Sequence, residues 1–250
     1  MSGPAASVAS VQEALDRGDH AEVLRQTEAL LAERPGDDAA HELRARALLA
    51  LSRLDEAEQH AADAVRLDPD EIRYRELMAQ VLAARGAHRD AATEYGRLAR
   101  NDPRQRDWLL AEAGERLDAA QAGRAAEAAR AAVRLNPADA QAQLTLATTL
   151  ARLGDGAGAM AAAASAERLR PDDPRAAEAV ADAQWLLGQD ASAFARLAHL
   201  AERLDGSDGE RVTAKARALY RQHAGPAGRL LAAISPLFGA ALRRGWLHLA

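Results

Sequence analysis

The sequence contains no cysteine. Disulfides and thiolate zinc sites are excluded, and with them a disulfide-stapled secreted scaffold. Aromatic residues make up only 3% of the chain, so large rings cannot supply most of a core. There is no excess of positive charge: the formal net charge is -5, whereas a nucleic-acid binder normally carries a basic stripe. β-branched residues are sparse, and no stretch alternates apolar and polar residues long enough to read as a strand. The opening MSGPAASVAS has neither a basic n-region nor an apolar h-region, so no secretory signal is expected there. These absences point to an all-α protein in a reducing, cytoplasmic setting.

What is present is alanine and leucine. Hydrophobic residues reach 48% of the 250, and most of that fraction consists of these two strong helix formers. The phrase AVRLDP at 64–69 returns as AVRLNP at 132–137. The proline explains the recurrence. Pro35, Pro69, Pro103, Pro137 and Pro171 stand at intervals of 34 residues. Proline lacks an N–H and clashes with the preceding turn, so each one ends a helix at the same phase of a repeating unit.

Other positions keep that phase. Twelve residues before the prolines stand Val23, Ala57, Ala91, Ala125 and Ala159. Seventeen before stand Gly18, Ser52, Gly86, Ala120 and Gly154, which read as a short turn. Twenty-four before stand Val11, Ala45, Ala79, Ala113 and Ala147. A sixth unit continues with Ala181, Gly188 and Ala193, and has Asp205 where the proline is expected. Each unit predicts two helices of about 14 residues, roughly 21 Å long. Such a hairpin cannot bury its apolar face alone and must stack on neighbours. The alanines are the facing surfaces at which the two helix axes approach.

The expected helix pairs fall at 5–17 and 19–33, 37–51 and 54–67, 71–85 and 88–101, 105–119 and 122–135, 139–153 and 156–169, and 173–187 and 190–204. Asp70, Asp139 and Asp173 are expected N-caps, with Pro174 at a first helical position. After GSDG, residues 210–224 read as one more helix. Residues 1–4 are expected to be disordered, 5–205 to form the repeat array in units 4–37, 38–71, 72–105, 106–139, 140–173 and 174–207, and 208–250 to form capping helices with the last one amphipathic. Two readings compete for the tail at 229–250. It covers the last repeat, or it makes peripheral membrane contact through Arg229, Arg243, Arg244 and Trp246. Its 13 uncharged positions at 230–242 fall short of the roughly 20 needed to span a bilayer.

With its 34-residue unit, small residue in mid helix A, alanine early in helix B and closing proline, the chain resembles the tetratricopeptide repeat family, in particular its bacterial members. Ala91-x-x-x-Tyr95 followed by Pro103 is the nearest approach to the family's A-x3-F…P. The aromatic positions of the motif are mostly filled by smaller residues, among them Ala61, Ala129 and Ala163. The resemblance implies an all-α, right-handed superhelical solenoid of about six units with C-terminal capping helices. It also implies that helix A lines a concave groove. By register that groove takes Gln12, Leu15, Asp16, Glu42, Arg46, Leu49, Arg73, Glu76, Gln80, Asp107, Leu110 and Asp118. It continues with Gln141, Thr145, Thr148, Arg152, Arg175, Glu178, Asp182 and Trp185. The family's carboxylate clamp uses lysines and asparagines; Lys215 is the sole lysine here, which disfavours that mechanism.

No catalytic pattern stands out. His41-Glu42 begins like H-E-x-x-H, but Ala45 occupies the second ligand position. The seven histidines are scattered without metal spacing. GDGAG at 154–158 lacks the strand-to-helix setting of a phosphate loop. The expectation is a non-catalytic scaffold that binds a protein or peptide, with no cofactor, metal, nucleic acid or small-molecule substrate. The alternative is a membrane- or envelope-associated assembly factor anchored through its amphipathic C-terminal helix. Trp185 is read either as a groove anchor or as packing between units six and seven. Arg46, Arg73 and Arg152 are read either as ligand contacts or as partners of neighbouring acids such as Glu42 and Glu76.

Overall fold

The structure, a computed structural model, describes residues 7–223. The expected disorder at 1–4 and both readings of the 229–250 tail lie outside the described residues. Within them the chain forms thirteen helices and no strand. The described residues divide into two compact units, the first ending at residue 121 and the second beginning at residue 122.

The first unit holds α1 (Val8–Asp16), α2 (His20–Glu33), α3 (Asp38–Ala50), α4 (Leu54–Leu67), α5 (Ile72–Ala84), α6 (His88–Asn101) and α7 (Arg106–Asp118). Each helix packs on the next, and α1 also meets α3, as α3 meets α5. The second unit holds α8 (Ala122–Leu135), α9 (Ala140–Arg152), α10 (Gly156–Leu169), α11 (Pro174–Leu186), α12 (Asp190–Arg203) and α13 (Gly206–His223). The same chain-order packing holds there, and α9 meets α11. The fold is an all-α solenoid of helical hairpins.

Two kinds of turn are written into the repeat. After the second helix of a pair, the residue before each proline is forced out of the helical region by the proline ring. Arg34, Asp68, Asp102 and Arg170 accordingly close their helices at φ between -139° and -133° and ψ between 80° and 92°. After the first helix, the chain passes through the left-handed region at Gly18, Ser52, Gly86, Ala120, Gly154 and Gly188, with φ from 58° to 78°. At each, two backbone bonds close a Schellman motif. In the first, Gly18 N–H donates to Leu15 O at 2.9 Å and Asp19 N–H donates to Ala14 O at 2.9 Å. Glycine accepts this conformation without a Cβ penalty; Ser52 and Ala120 do so under strain.

The in-phase alanines are the core. Ala45, Ala57, Ala79, Ala91, Ala113 and Ala125 are fully buried, as are Val11 and Val23. Ala61, Ala129 and Ala163, standing where the family places an aromatic, are also fully buried. The methyl groups let the helices approach closely, and the few rings (Tyr74, Tyr95, Trp108, Phe194 and Tyr220) fill the wider gaps. Asp139 and Asp173 cap α9 and α11, accepting from Gln141 N–H and Arg175 N–H. Asp70 does not cap α5. Glu71 takes that place and accepts from Arg73 N–H, because the helix starts one residue later than Asp70 could reach. The last described helix also starts earlier than residue 210: GSDG is the first turn of α13, with Asp208 favourably placed at the positive helix end.

Candidate functional site

Polar groups on the first helices of successive pairs line hollows open to solvent. In the first unit, Arg46, Leu49 and Ala50 of α3 and Arg73, Glu76, Leu77 and Gln80 of α5 line a hollow of about 480 Å³. Beneath it Glu42 is buried, with Arg46 Nη2 at 2.7 Å and Arg73 Nη1 at 4.0 Å. Arg73 also holds Glu71, at 3.2 Å from both Nε and Nη2, and lies over the Tyr74 ring. Both arginines are thus engaged by the protein's own acids, the second of the two readings above. Asp107, on α7, is exposed and paired with Arg106, and it lines neither this hollow nor those of the second unit.

In the second unit a hollow of about 590 Å³ is lined by Leu144 and Thr148 of α9, Arg175, Glu178 and Asp182 of α11, and Asp208, Arg211 and Lys215 of α13. A smaller one, about 280 Å³, shares Thr148, Ala179 and Asp182 and adds Arg152, Trp185 and Leu186. Thr148, Arg152, Arg175, Glu178, Asp182 and Trp185 are therefore brought together. Gln141 is not: its side chain lies at 3.5 Å from the Thr145 hydroxyl, nearer the start of α9.

Electrostatics give this face a pattern. Glu178 is buried, and its Oε2 accepts from Arg211 Nη1 at 2.5 Å with Lys215 Nζ at 3.7 Å. Its Oε1 has no hydrogen-bond partner among the described residues. Lys215 donates to Asp182 at 2.7 Å. Arg175 is tied to the capping Asp173, at 3.0 Å and 3.2 Å, and this hydrogen bonding holds the Asp173 carboxyl below its usual range. Arg152, at the end of α9, is exposed and makes no ion pair among the described residues. Trp185 is half-buried. One side packs on a core cluster containing Phe194, Leu197, Val212 and Leu219, and the other lines the hollow beside Arg152. The packing on α12 and α13 residues is the inter-unit contact expected of it.

Arg211 and Lys215 were missed by register, because the period fades before α13. The available signal was the spacing of the two cations, four apart and hence on one helix face. The histidines also behave differently from their scatter in sequence. His41 of α3 and His60 of α4 lie with their Nδ1 atoms 2.9 Å apart, and Asp63 is beside them. Burial, the Arg44 guanidinium and His41 hold the His60 pKa below the usual imidazole value.

A stack of helical hairpins with such a polar, open face is a helical-repeat scaffold of the kind used for protein–protein interaction. Two models described as tetratricopeptide repeats match residues 14–81 and 110–174. The chain belongs to the tetratricopeptide repeat family. Among solved structures it is similar to a tetratricopeptide repeat protein from Parabacteroides merdae ATCC 43184, at 14% identity and TM-score 0.69, covering 95% of this chain and 96% of that one. It is similar also to residues 41 to the end of MamA from Desulfovibrio magneticus RS-1, at 20% identity and TM-score 0.61, covering 68% and 98%. A third is YrrB, described as a TPR protein with an unusual peptide-binding site, at 16% identity and TM-score 0.55, covering 84% and 96%. No curated protein matches by sequence. No described helix is long and apolar enough to cross a membrane.

Proposed function

We propose that the protein is a non-catalytic, cytoplasmic scaffold that binds a peptide segment of another protein along the α9, α11 and α13 face. The observation that carries this reading is Arg152, without an ion-pair partner among the described residues, set beside the exposed side of Trp185 in one hollow. A rigid aromatic flank next to a cation fits a segment that offers an apolar side chain followed by a carboxylate. Large aromatics and arginines are the residues that most often carry interface energy. The peptide-binding site described for YrrB, a neighbour in fold, supports this reading. The hollow at Arg46, Arg73, Glu76 and Gln80 is a separate candidate surface within the first unit.

Selection of peptides from a random display library against the intact protein tests the proposal. Selected peptides are expected to share an apolar residue near an acidic one. The paired substitution Trp185→Ala with Arg152→Glu is expected to weaken them at least tenfold. Peptides that bind the substituted protein as well as the original would place recognition on another surface.

A further inference from the structure

We infer that His41, His60 and Asp63 form a binding site for a divalent transition-metal ion, Zn²⁺ above all, which bridges α3 and α4. The three side chains offer one donor atom each, and these atoms all lie within 4.8 Å of one another. His60 and Asp63 are three apart on α4 and so share a face; His41 reaches them from α3. The two Nδ1 atoms are 2.9 Å apart, and His41 Nδ1 is 3.8 Å from Asp63 Oδ2. Donors at about 2.0–2.1 Å from a tetrahedral zinc stand about 3.3 Å from each other. The observed distances bracket that value, so small side-chain adjustments bring all three into range.

The surroundings are arranged as for ligands. His41 Nε2 lies 3.1 Å from the Pro35 carbonyl, which fixes the ring with the Nδ1 lone pair facing His60. The other oxygen of Asp63, Oδ1, accepts from Arg66 Nη2 at 2.9 Å, leaving Oδ2 turned toward the imidazoles. Two imidazoles and a carboxylate suit zinc, and a fourth position stays open. The donor set contains no redox-active group, and none of its residues lines the hollows that carry the proposed function.

One neighbour opposes binding. Arg44 Nε donates to His60 Nε2 at 3.1 Å, so the metal-free His60 carries its proton on Nδ1 and donates it to His41. Coordination through Nδ1 moves that proton to Nε2 and breaks the Arg44 bond. Arg44 keeps its Nη1 bonds to the Leu24 carbonyl at 2.8 Å and to the Thr27 hydroxyl at 3.1 Å. Arg44 therefore sets the affinity, and Arg44→Gln, whose carbonyl can accept from Nε2–H, is expected to tighten it.

The test is a Zn²⁺ titration of the full, untagged chain after stripping with a chelator, read by competition with a metal indicator dye. One ion per chain is expected. His60→Gln and Asp63→Asn, both at partly exposed positions, should each weaken binding at least tenfold, and Arg44→Gln should strengthen it several-fold. His88→Gln serves as the control, because His88 Nδ1 is already held by Glu115 at 2.8 Å in the other acid–histidine group. Equal affinity in the original and both α4 variants would overturn the assignment, leaving a hydrogen-bonded imidazole pair. So would a loss confined to His88→Gln.

Discussion

Replacing Ala120 by glycine should make the protein more stable although it removes a side chain. Ala120 ends α7 in the left-handed region, at φ 58°, where its Cβ crowds the following carbonyl. The conformation is enforced by its neighbours: Ala120 N–H donates to Leu117 O at 2.9 Å, and Gln121 N–H donates to Arg116 O at 2.7 Å. Relaxing φ would break both bonds, so the strain persists. It is worth about 1–2 kcal/mol for a residue with a Cβ. Glycine removes it but gives the unfolded chain more freedom, which offsets about 0.4–1 kcal/mol. Ala120 is exposed, so no packing is lost. The net expectation is a gain of about 0.5–1 kcal/mol, or about 2–4 °C in melting temperature per kcal/mol for a chain of this size. Urea and thermal melts of Ala120→Gly, with Gly86→Ala as the reverse change at φ 75°, measure it. Gly86→Ala should lose roughly what Ala120→Gly gains. A glycine variant that melts lower than the original would show that the repeat tolerates alanine there without strain, and the account of the turn would be wrong.

Three further outcomes follow from the packing and the charges. Ala91 is fully buried where α6 meets its neighbours, so Ala91→Leu should cost about 1–3 kcal/mol by overpacking, read as a lower urea midpoint. Tyr74 is buried and donates to Asp38 at 2.9 Å, tying α5 back to α3. Tyr74→Phe should cost about 1.5–3 kcal/mol, the range for a hydrogen bond to a charged group. Burial and that bond push the Tyr74 phenol well above its ordinary value. Its contribution is therefore complete below about pH 10, the ordinary tyrosine value, and is lost as pH climbs above it, because the unfolded chain ionises first; Tyr74→Phe should flatten that alkaline fall in a pH series of melts. Asp173→Ala removes both the cap of α11 and the partner of Arg175. It should cost about 1 kcal/mol and free Arg175 to compete for acidic peptides, seen as tighter binding in the display assay.

The difference between what could and could not be read from the sequence has a physical cause. A helix end is decided locally: proline removes a donor and restricts the residue before it, and a left-handed turn selects glycine. Pro69, Pro103 and Gly86 therefore marked their turns from sequence alone, as Ala57 and Ala91 marked the buried faces by phase. Even the lapse at Asp70 was a shift of one residue between two carboxylates that can each cap. The GSDG lapse was similar in kind, since Ser207 and Asp208 favour a helix start as readily as a break.

Charge pairing is decided otherwise. Arginine carries a long, flexible stem, so register gives the helix face on which Arg46, Arg73 and Arg211 stand but not which acid each one reaches. Glu42 and Glu178, groove residues by phase, are both buried, each paired with a cation, Arg46 and Arg211, while Glu178 still lines the hollow of the second unit. The same limit hid the imidazole pair. His41 and His60 are 19 residues apart and fall at unrelated phases of the repeat, so no spacing rule joins them; only the packing of α3 on α4 does. A repeat of this kind spends its regularity on alanine, proline and glycine, which hold the helices at fixed separations. Its individuality lies in the long polar side chains that the separations leave free, and Arg44 shows the consequence. One arginine, reaching from α3 to the His60 ring, decides whether two histidines share a proton or a metal.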